Sequence, residues 1–328
     1  MGSGKETESD VTVRIGKYTI IRPLGQGGEG CVYLARDEAL QRLVAVKKIY
    51  GEPVERTETI IEDEEICRCG DRISQTVKEA DFLKRLQHPM LPVVHDLLRE
   101  DTFCYLVMEY VRGITLHEYI GRNGYVEKET ACVWAGQLLD ILEYLHTRKP
   151  PVVYRDLKPD NIMVCPDGRL KLIDFGAAVQ RDFGGKEDRL MAATPGYGAP
   201  EQFGQRERER TEPDRQGNPA AAEYCGRQRY ADERSDIYAF GKVLYYIVTG
   251  AEPAKPPYTS LHIQDYQSLI PDRMERVIRK CIQENPAARY QVVGEIRRDL
   301  DRCRAKTGRL RRGSFIRAVE KQVWLTEM

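Results

Sequence analysis

The chain has 328 residues, enough for two average domains or one large two-lobed one, and its 41% apolar content can build a full core. Its 51 basic and 51 acidic residues cancel, so whole-chain charge singles out neither nucleic acid nor an anionic membrane as a partner. The cysteines are odd in number and scattered without paired CxxC sets, which points to reduced thiols in a cytoplasm. The one close pair, Cys67 and Cys69, has no companion His or Cys at ligand spacing and reads as a surface loop. No apolar run approaches the ~18 to 20 residues of a membrane helix, and the leader MGSGKETESD lacks a signal-peptide core. Glu6 stands where N-myristoylation wants Ser or Thr, so the chain reads as soluble and without a lipid anchor.

After the polar leader (1–14), the runs YTIIRPL, CVYLARD and RLVAVKKI predict an antiparallel meander. SQTVKEADFLKRL predicts a helix, and LPVVHDLL and FCYLVMEYV predict two more strands. From Thr115 the texture changes to long helical periods, as in KETACVWAGQLLDILEYLH and SDIYAFGKVLYYIVTG. The expected organisation is therefore α+β: a small β-rich lobe (15–108), a joint (109–113), a larger mainly helical lobe (114–305) and a basic extension (306–328). Two stretches break the compact pattern. Residues 51–73 are mostly acidic, residues 205–229 are polar and charge-alternating, and both read as insertions or long loops.

Gly25, Gly27 and Gly30, with Gly28 between them, fit G-x-G-x-x-G. Three glycines at those offsets arise by chance roughly once in five or six chains of this composition, so context must decide. Cys31–Leu34 continues as a strand instead of a helix, which makes a β-turn-β flap whose bare backbone can lie against phosphates. In Val44-Ala45-Val46-Lys47 a lysine sits in an apolar strand, ordinarily an exposed edge position. Glu79 shifts that reading, because it shares a helix face with Phe82, Leu83 and Leu86 and its carboxylate points toward a core where it needs a cation. Lys47 is the natural partner. In VVYRDLKPDNIMV, Asp156 and Asn161 end a short polar loop between apolar strands, and Asp174-Phe175-Gly176 follows at the end of the strand RLKLI. An amide and a carboxylate brought together by adjacent strands form an oxygen site of the kind Mg²⁺ with nucleotide phosphates prefers. The second copy of the tripeptide, Asp182-Phe183-Gly184, has no strand to position it and reads as coincidental loop sequence.

From roughly Tyr18 to Cys303 this order of motifs resembles a eukaryotic-type (Hanks-type) Ser/Thr protein kinase, and TPGYGAPEQF and DERSDIYAFG resemble the bacterial branch. The resemblance implies a bilobal protein-kinase-like fold and an ATP-dependent signalling phosphotransferase acting on Ser/Thr hydroxyls of protein substrates and on itself. It implies that Lys47 binds the α- and β-phosphates and is held by Glu79, and that Asn161 and Asp174 hold Mg²⁺, with Mn²⁺ as an alternative. Asp156 would orient the substrate hydroxyl and accept its proton. Lys158 would stabilise the transferring phosphate, and Thr194 would contact both. Leu24, Gly25, Gly27, Gly28 and Gly30 would cover the nucleotide, Met108 would be the gatekeeper, Glu109 to Val111 would supply hinge backbone groups, and Val32, Ala45 and Met163 would sandwich the adenine. Glu201 resembles an acid that pairs with an arginine, here Arg289, and Asp236 an acid that braces the catalytic loop.

The chain departs from the family pattern in several places. Tyr154 replaces the usual histidine before Arg155-Asp156, and Glu29 stands at the tip of the Gly-rich loop where an aromatic is common. Within the activation segment (174–201), residues 177–193 carry no Ser, Thr or Tyr. Arg155 resembles the arginine that often meets a phosphothreonine there, and Glu187 and Asp188 are candidates to stand in as fixed anions. Activation is therefore expected not to depend on phosphorylation of 177–193, with control coming from the insertions, partners or dimerisation. The basic tail reads as a solvated final helix and extension, or as a juxtamembrane or partner-docking segment of a longer, membrane-anchored protein. Two other readings stay open: a pseudokinase or nucleotide-sensing scaffold, and a small-molecule phosphotransferase, which the intact Thr194 to Glu201 segment disfavours.

Overall fold

Period-two apolar alternation in the first third of the chain folds into six strands: β1 (Arg14–Ile15), β2 (Tyr18–Gly27), β3 (Gly30–Asp37), β4 (Arg42–Tyr50), β5 (Val94–Glu100) and β6 (Phe103–Glu109). The computed structural model describes residues 13–27, 30–50, 80, 83–100, 103–180, 193–203, 231–253 and 272–304. Gly28, Glu29, Glu79, the pair Cys67 and Cys69, the stretches 51–73, 182–184, 205–229 and 306–328, and Glu187 and Asp188 all lie outside the described residues. The chain divides into two compact units, one ending at Val111 and the other beginning at Arg112, with His88–Met90 belonging to the second.

In the first unit the sheet order is β1-β2-β3-β4-β6-β5, antiparallel throughout. The expected meander of β2, β3 and β4 is present, and of the two further strands β6 pairs with β4 while β5 lies beyond it at the sheet edge. The strand expected from Leu91 begins at Val94; Pro92, which has no N–H to donate, keeps the preceding residues out of the ladder. Alternation along β4 separates two clusters. Val44 and Val46 join Ile15, Tyr18, Ala35, Tyr105 and Val107 on one face, while Ala45 joins Ala80, Leu106 and Met108 on the other, flanked by Val32, Val94 and Leu97.

The second unit opens with β7 (Ile114–Thr115), which pairs with β9 (Ile162–Val164), itself paired with β10 (Leu170–Leu172). Helix α1 (Leu116–Asn123) starts at a capping box: Glu118 N–H donates to Thr115 Oγ1 at 3.1 Å and Thr115 N–H to Glu118 Oε2 at 2.8 Å. Helix α2 (Lys128–His146) buries Trp134, Leu138, Leu139, Ile141, Leu142 and Leu145. Helix α3 (Glu233–Thr249) is capped by Asp232 and buries nearly its whole circumference, the polar Ser235, Asp236 and Lys242 included. It packs on α2 and on α4 (Asp272–Cys281), and α5 (Val293–Arg304) packs on α2 and α4. A short pair, β8 (Val152–Val153) with β11 (Val179–Gln180), flanks the loop that matters most. Among the described residues no helix is long and apolar enough to cross a membrane.

Candidate active site

The loop between β8 and β9 is held in an unfavourable backbone shape by buried side chains. Arg155 has φ 70°, a left-handed conformation that costs a non-glycine residue about 1–2 kcal/mol. Asp236, fully buried on α3, compensates: its Oδ2 accepts the Tyr154 N–H at 2.8 Å and its Oδ1 the Arg155 N–H at 2.8 Å. His146, the last residue of α2, lies with Nε2 2.9 Å from the same Oδ2. From the other side Gln202 Nε2 donates to the Arg155 carbonyl at 2.9 Å, while Gln202 Oε1 accepts the Ala199 N–H at 2.9 Å. The Tyr154 ring, fully buried, meets Phe175 edge to face at 4.9 Å, a contact an aromatic of either kind could make.

This bracing delivers Asp156 into a side-chain network. Asp156 Oδ1 accepts from the Thr194 hydroxyl at 2.7 Å, and Oδ2 lies 2.7 Å from Lys158 Nζ. Lys158 Nζ also donates to Thr194 Oγ1 at 3.0 Å. Asn161 Nδ2 donates to Asp156 Oδ2 at 2.8 Å and to the Asp156 carbonyl at 3.0 Å. Four of the predicted residues are thus joined through Asp156. Because the Asn161 amide nitrogen is committed to Asp156, its oxygen is the atom left for a ligand. Asn161 directly precedes β9, and its carbonyl accepts the Ile173 N–H at 3.1 Å, which sets Asp174 on the neighbouring strand end. Asp174 Oδ1 accepts the Gly176 N–H at 3.1 Å. Among the described residues no group of three or more His, Cys, Asp and Glu gathers as a metal site. The donor set is one carboxylate and one amide oxygen, which suits a hard cation that also keeps waters and phosphate oxygens.

Glu201 and Arg289 form a two-pronged ion pair, Nη1 to Oε1 at 2.7 Å and Nη2 to Oε2 at 2.8 Å, with both side chains buried. The remaining Arg289 donors reach the carbonyls of Gln283, Arg234 and Glu284, and Ser235 Oγ donates to Glu201 Oε1. Such complete satisfaction is what a buried charge pair requires. The guanidinium lies over the Tyr238 ring at 4.8 Å, and burial pushes that phenol up to about 12.

In the first unit, the register Val32↔Lys47↔Leu106 and Leu34↔Ala45↔Met108 puts Val32, Ala45, Lys47 and Met108 on one face of the sheet. Lys47 is buried there, not at an exposed edge. Gly25 and Gly27 pair with Val32 and Gly30 in the β2–β3 ladder, and Leu24 is partly exposed. At Gly30 a purely structural reason for glycine emerges: φ is 144°, and a Cβ would sit 2.1 Å from the Lys48 carbonyl oxygen. The Glu109 N–H donates to the Val93 carbonyl at 2.8 Å, and its own carbonyl is the backbone group that can serve a ligand at that residue. Met163 lies on β9 opposite Thr115 and Lys171, in the second unit.

Sequence reasoning passed over Gln202, His146 and Ser235. Each reaches a partner 34 to 90 positions away, so no local pattern marks it, although Gln202 sits directly beside the singled-out Glu201.

Comparison with known proteins adds an independent line. A family model described as protein kinase domain matches residues 18–311. A probable serine/threonine-protein kinase of Clostridium acetobutylicum is 32% identical over 297 residues, covering 87% of this chain and 39% of the relative. The serine/threonine-protein kinase PrkC of Bacillus subtilis is 29% identical, covering 87% and 40%, and PknB of Mycolicibacterium smegmatis is 28% identical, covering 87% and 43%. The chain thus spans about two fifths of the length of these curated relatives. With the whole motif order inside the matched residues and the second unit built around the Asp156 loop, the chain belongs to the protein kinase domain family and resembles its bacterial Ser/Thr branch.

Proposed function

We propose that this chain is a Ser/Thr protein kinase that transfers the γ-phosphate of ATP to hydroxyls of protein substrates, itself included. The observation that carries the reading is the joined set Asp156, Lys158, Asn161 and Thr194, in which a carboxylate, an ammonium and a hydroxyl meet within 3.0 Å. The substrate oxygen attacks phosphorus, the bond from phosphorus to the ADP oxygen breaks, and the hydroxyl proton passes to Asp156. Lys158 neutralises charge on the transferring group, and Thr194 keeps both side chains aligned. Asn161 and Asp174 would hold Mg²⁺, for which Mn²⁺ could substitute on the same oxygen ligands. Held there, such a cation would contribute neutralisation of phosphate charge.

On the first unit, Lys47, held by Glu79, would bind the α- and β-phosphates. Leu24, Gly25, Gly27, Gly28, Gly30, Val32, Ala45 and Met108 would line the nucleotide, with Glu109 and Val111. The Ser/Thr preference is supported by Lys158 contacting Thr194 and by the named relatives. A cytoplasmic setting, free or as the cytosolic part of a longer protein, is supported by the described cysteines Cys31, Cys104, Cys132, Cys165 and Cys281, which are thiols and not disulfides. Self-association, and a membrane-proximal role for 306–328, belong to the same reading.

The test is transfer of labelled γ-phosphate to a basic protein and to the chain itself, with Asp156→Asn as control. We expect transfer to phosphoserine and phosphothreonine that drops at least a hundredfold in the variant. Equal, background-level incorporation by both proteins would replace the kinase reading with a scaffold.

A further inference from the structure

Glu252 lies two residues past Gly250, the left-handed residue that closes α3. Its side chain is 11% exposed and both of its oxygens are engaged. Oε1 accepts from the Tyr197 hydroxyl at 2.5 Å, and Oε2 lies 3.3 Å from Nδ1 of His117 on α1. The His117 ring in turn stacks on Tyr246 of α3, centroids 6.0 Å apart. Burial pushes the Tyr197 phenol well above its ordinary value and Tyr246 up to about 12, with Glu252 adding to both, so each stays a neutral donor at physiological pH.

Tyr197 stands inside a tight turn. Its own N–H and that of Gly198 both donate to the Thr194 carbonyl, at 3.1 and 2.8 Å. A Cβ on Gly198 would come within 2.7 Å of Ala193 Cβ, so the turn is closely packed. The residue whose carbonyl the turn closes on is the one whose hydroxyl bonds Asp156 and Lys158. Every link from Glu252 to Asp156 is therefore a hydrogen bond or a few covalent bonds, and all of them belong to the second unit.

We propose that Glu252 is a positioning residue for phosphoryl transfer: by anchoring the Tyr197 hydroxyl it fixes the 194–198 turn and keeps Thr194 on Asp156 and Lys158. The proposal rests on the kinase reading of the site. It acts on the hydroxyl-accepting side of the reaction, since Val32, Ala45, Lys47 and Met108 take no part in the chain of contacts.

The test uses the full chain with Tyr197→Phe, Glu252→Ala, Glu252→Gln and the double variant Tyr197→Phe/Glu252→Ala, reading kcat, KM for ATP and thermal midpoint. Tyr197→Phe removes one hydroxyl and keeps the packed ring, so it decides the matter if Glu252→Ala fails to fold. We expect kcat to fall about tenfold in Tyr197→Phe and Glu252→Ala, the loss expected when an anchored reacting group gains freedom. KM for ATP should change less than about twofold, and the double variant should be no slower than Glu252→Ala. Glu252→Gln, whose amide oxygen can still accept from Tyr197, should recover activity to within about threefold of the parent. Unchanged kcat in Tyr197→Phe, or multiplicative losses in the double variant, would overturn the proposal while leaving the kinase reading intact. A parent chain no more active than Asp156→Asn would instead overturn the kinase reading, and this proposal with it.

Discussion

Changing Asp236 to asparagine preserves the shape of a side chain that accepts three hydrogen bonds and turns one of its two acceptors into a donor. Oδ1 serves the Arg155 N–H, and Oδ2 serves the Tyr154 N–H and faces His146 Nε2. Whichever way the new amide turns, its NH₂ opposes one backbone N–H of the loop. Leaving a buried donor unpaired costs about 1–3 kcal/mol, and the surviving bonds lose their charge assistance, about 1 kcal/mol more. A total near 3 kcal/mol is a sizeable share of the roughly 5–15 kcal/mol that stabilises a domain, yet leaves a folded protein to assay. The loss falls on a residue already strained at φ 70°, so Arg155 has reason to relax and to carry Asp156 with it. Urea unfolding followed by tryptophan fluorescence, to which the buried Trp134 contributes, should show the midpoint lowered at unchanged slope, and kcat should fall more than about tenfold. A stability change under about 1 kcal/mol with kcat intact would refute the idea that Asp236 holds this loop in its working shape.

Arg289→Lys replaces a two-pronged, fully satisfied pair by a single ammonium that cannot reach the same carbonyls, and thermal or chemical denaturation should register a loss of about 3 kcal/mol. Lys242, buried on α3, has its ammonium lowered by burial from 10.5 to about 8. Between those values the unfolded chain holds a proton that the folded chain has released, so stability rises with pH across that window and the penalty is complete below about pH 8. Lys242→Met should therefore stabilise by up to about 3 kcal/mol at pH 7, less at pH 10, and flatten the slope between, as read from denaturation at several pH values. Phosphatase treatment should leave the activity of the purified chain within about twofold, because residues 177–193 offer no hydroxyl to modify. A collapse restored by one phosphate near Thr194 would contradict that.

Local pattern carried much of the fold. The run KETACVWAGQLLDILEYLH is α2 residue for residue, because its apolar period and flanks leave no competing start or stop. Helix α3 begins two residues earlier than the apolar run suggested, since Asp232 accepts the Arg234 N–H and moves the cap outward. The place of β5 beyond β6 was not readable, because strand order depends on pairing across a long intervening segment, which period alone does not encode. In the site, Asp156, Lys158 and Asn161 lie within six positions and could be found from their spacing.

Spacing along the chain thus selected the chemistry-bearing residues, since a carboxylate, lysine and amide on one short loop are near one another however the rest packs. Packing set their working geometry. The left-handed Arg155 depends on Asp236 from a helix about eighty positions away, the Arg155 carbonyl on Gln202, and the Thr194 turn on Glu252, which lies past the end of α3. These partners are joined by burial, where an unmet hydrogen bond is expensive, and not by proximity in the chain. Family resemblance had already singled out Asp236, whereas Gln202 and Glu252 were visible only once the helices had closed around the Asp156 loop and the Thr194 turn.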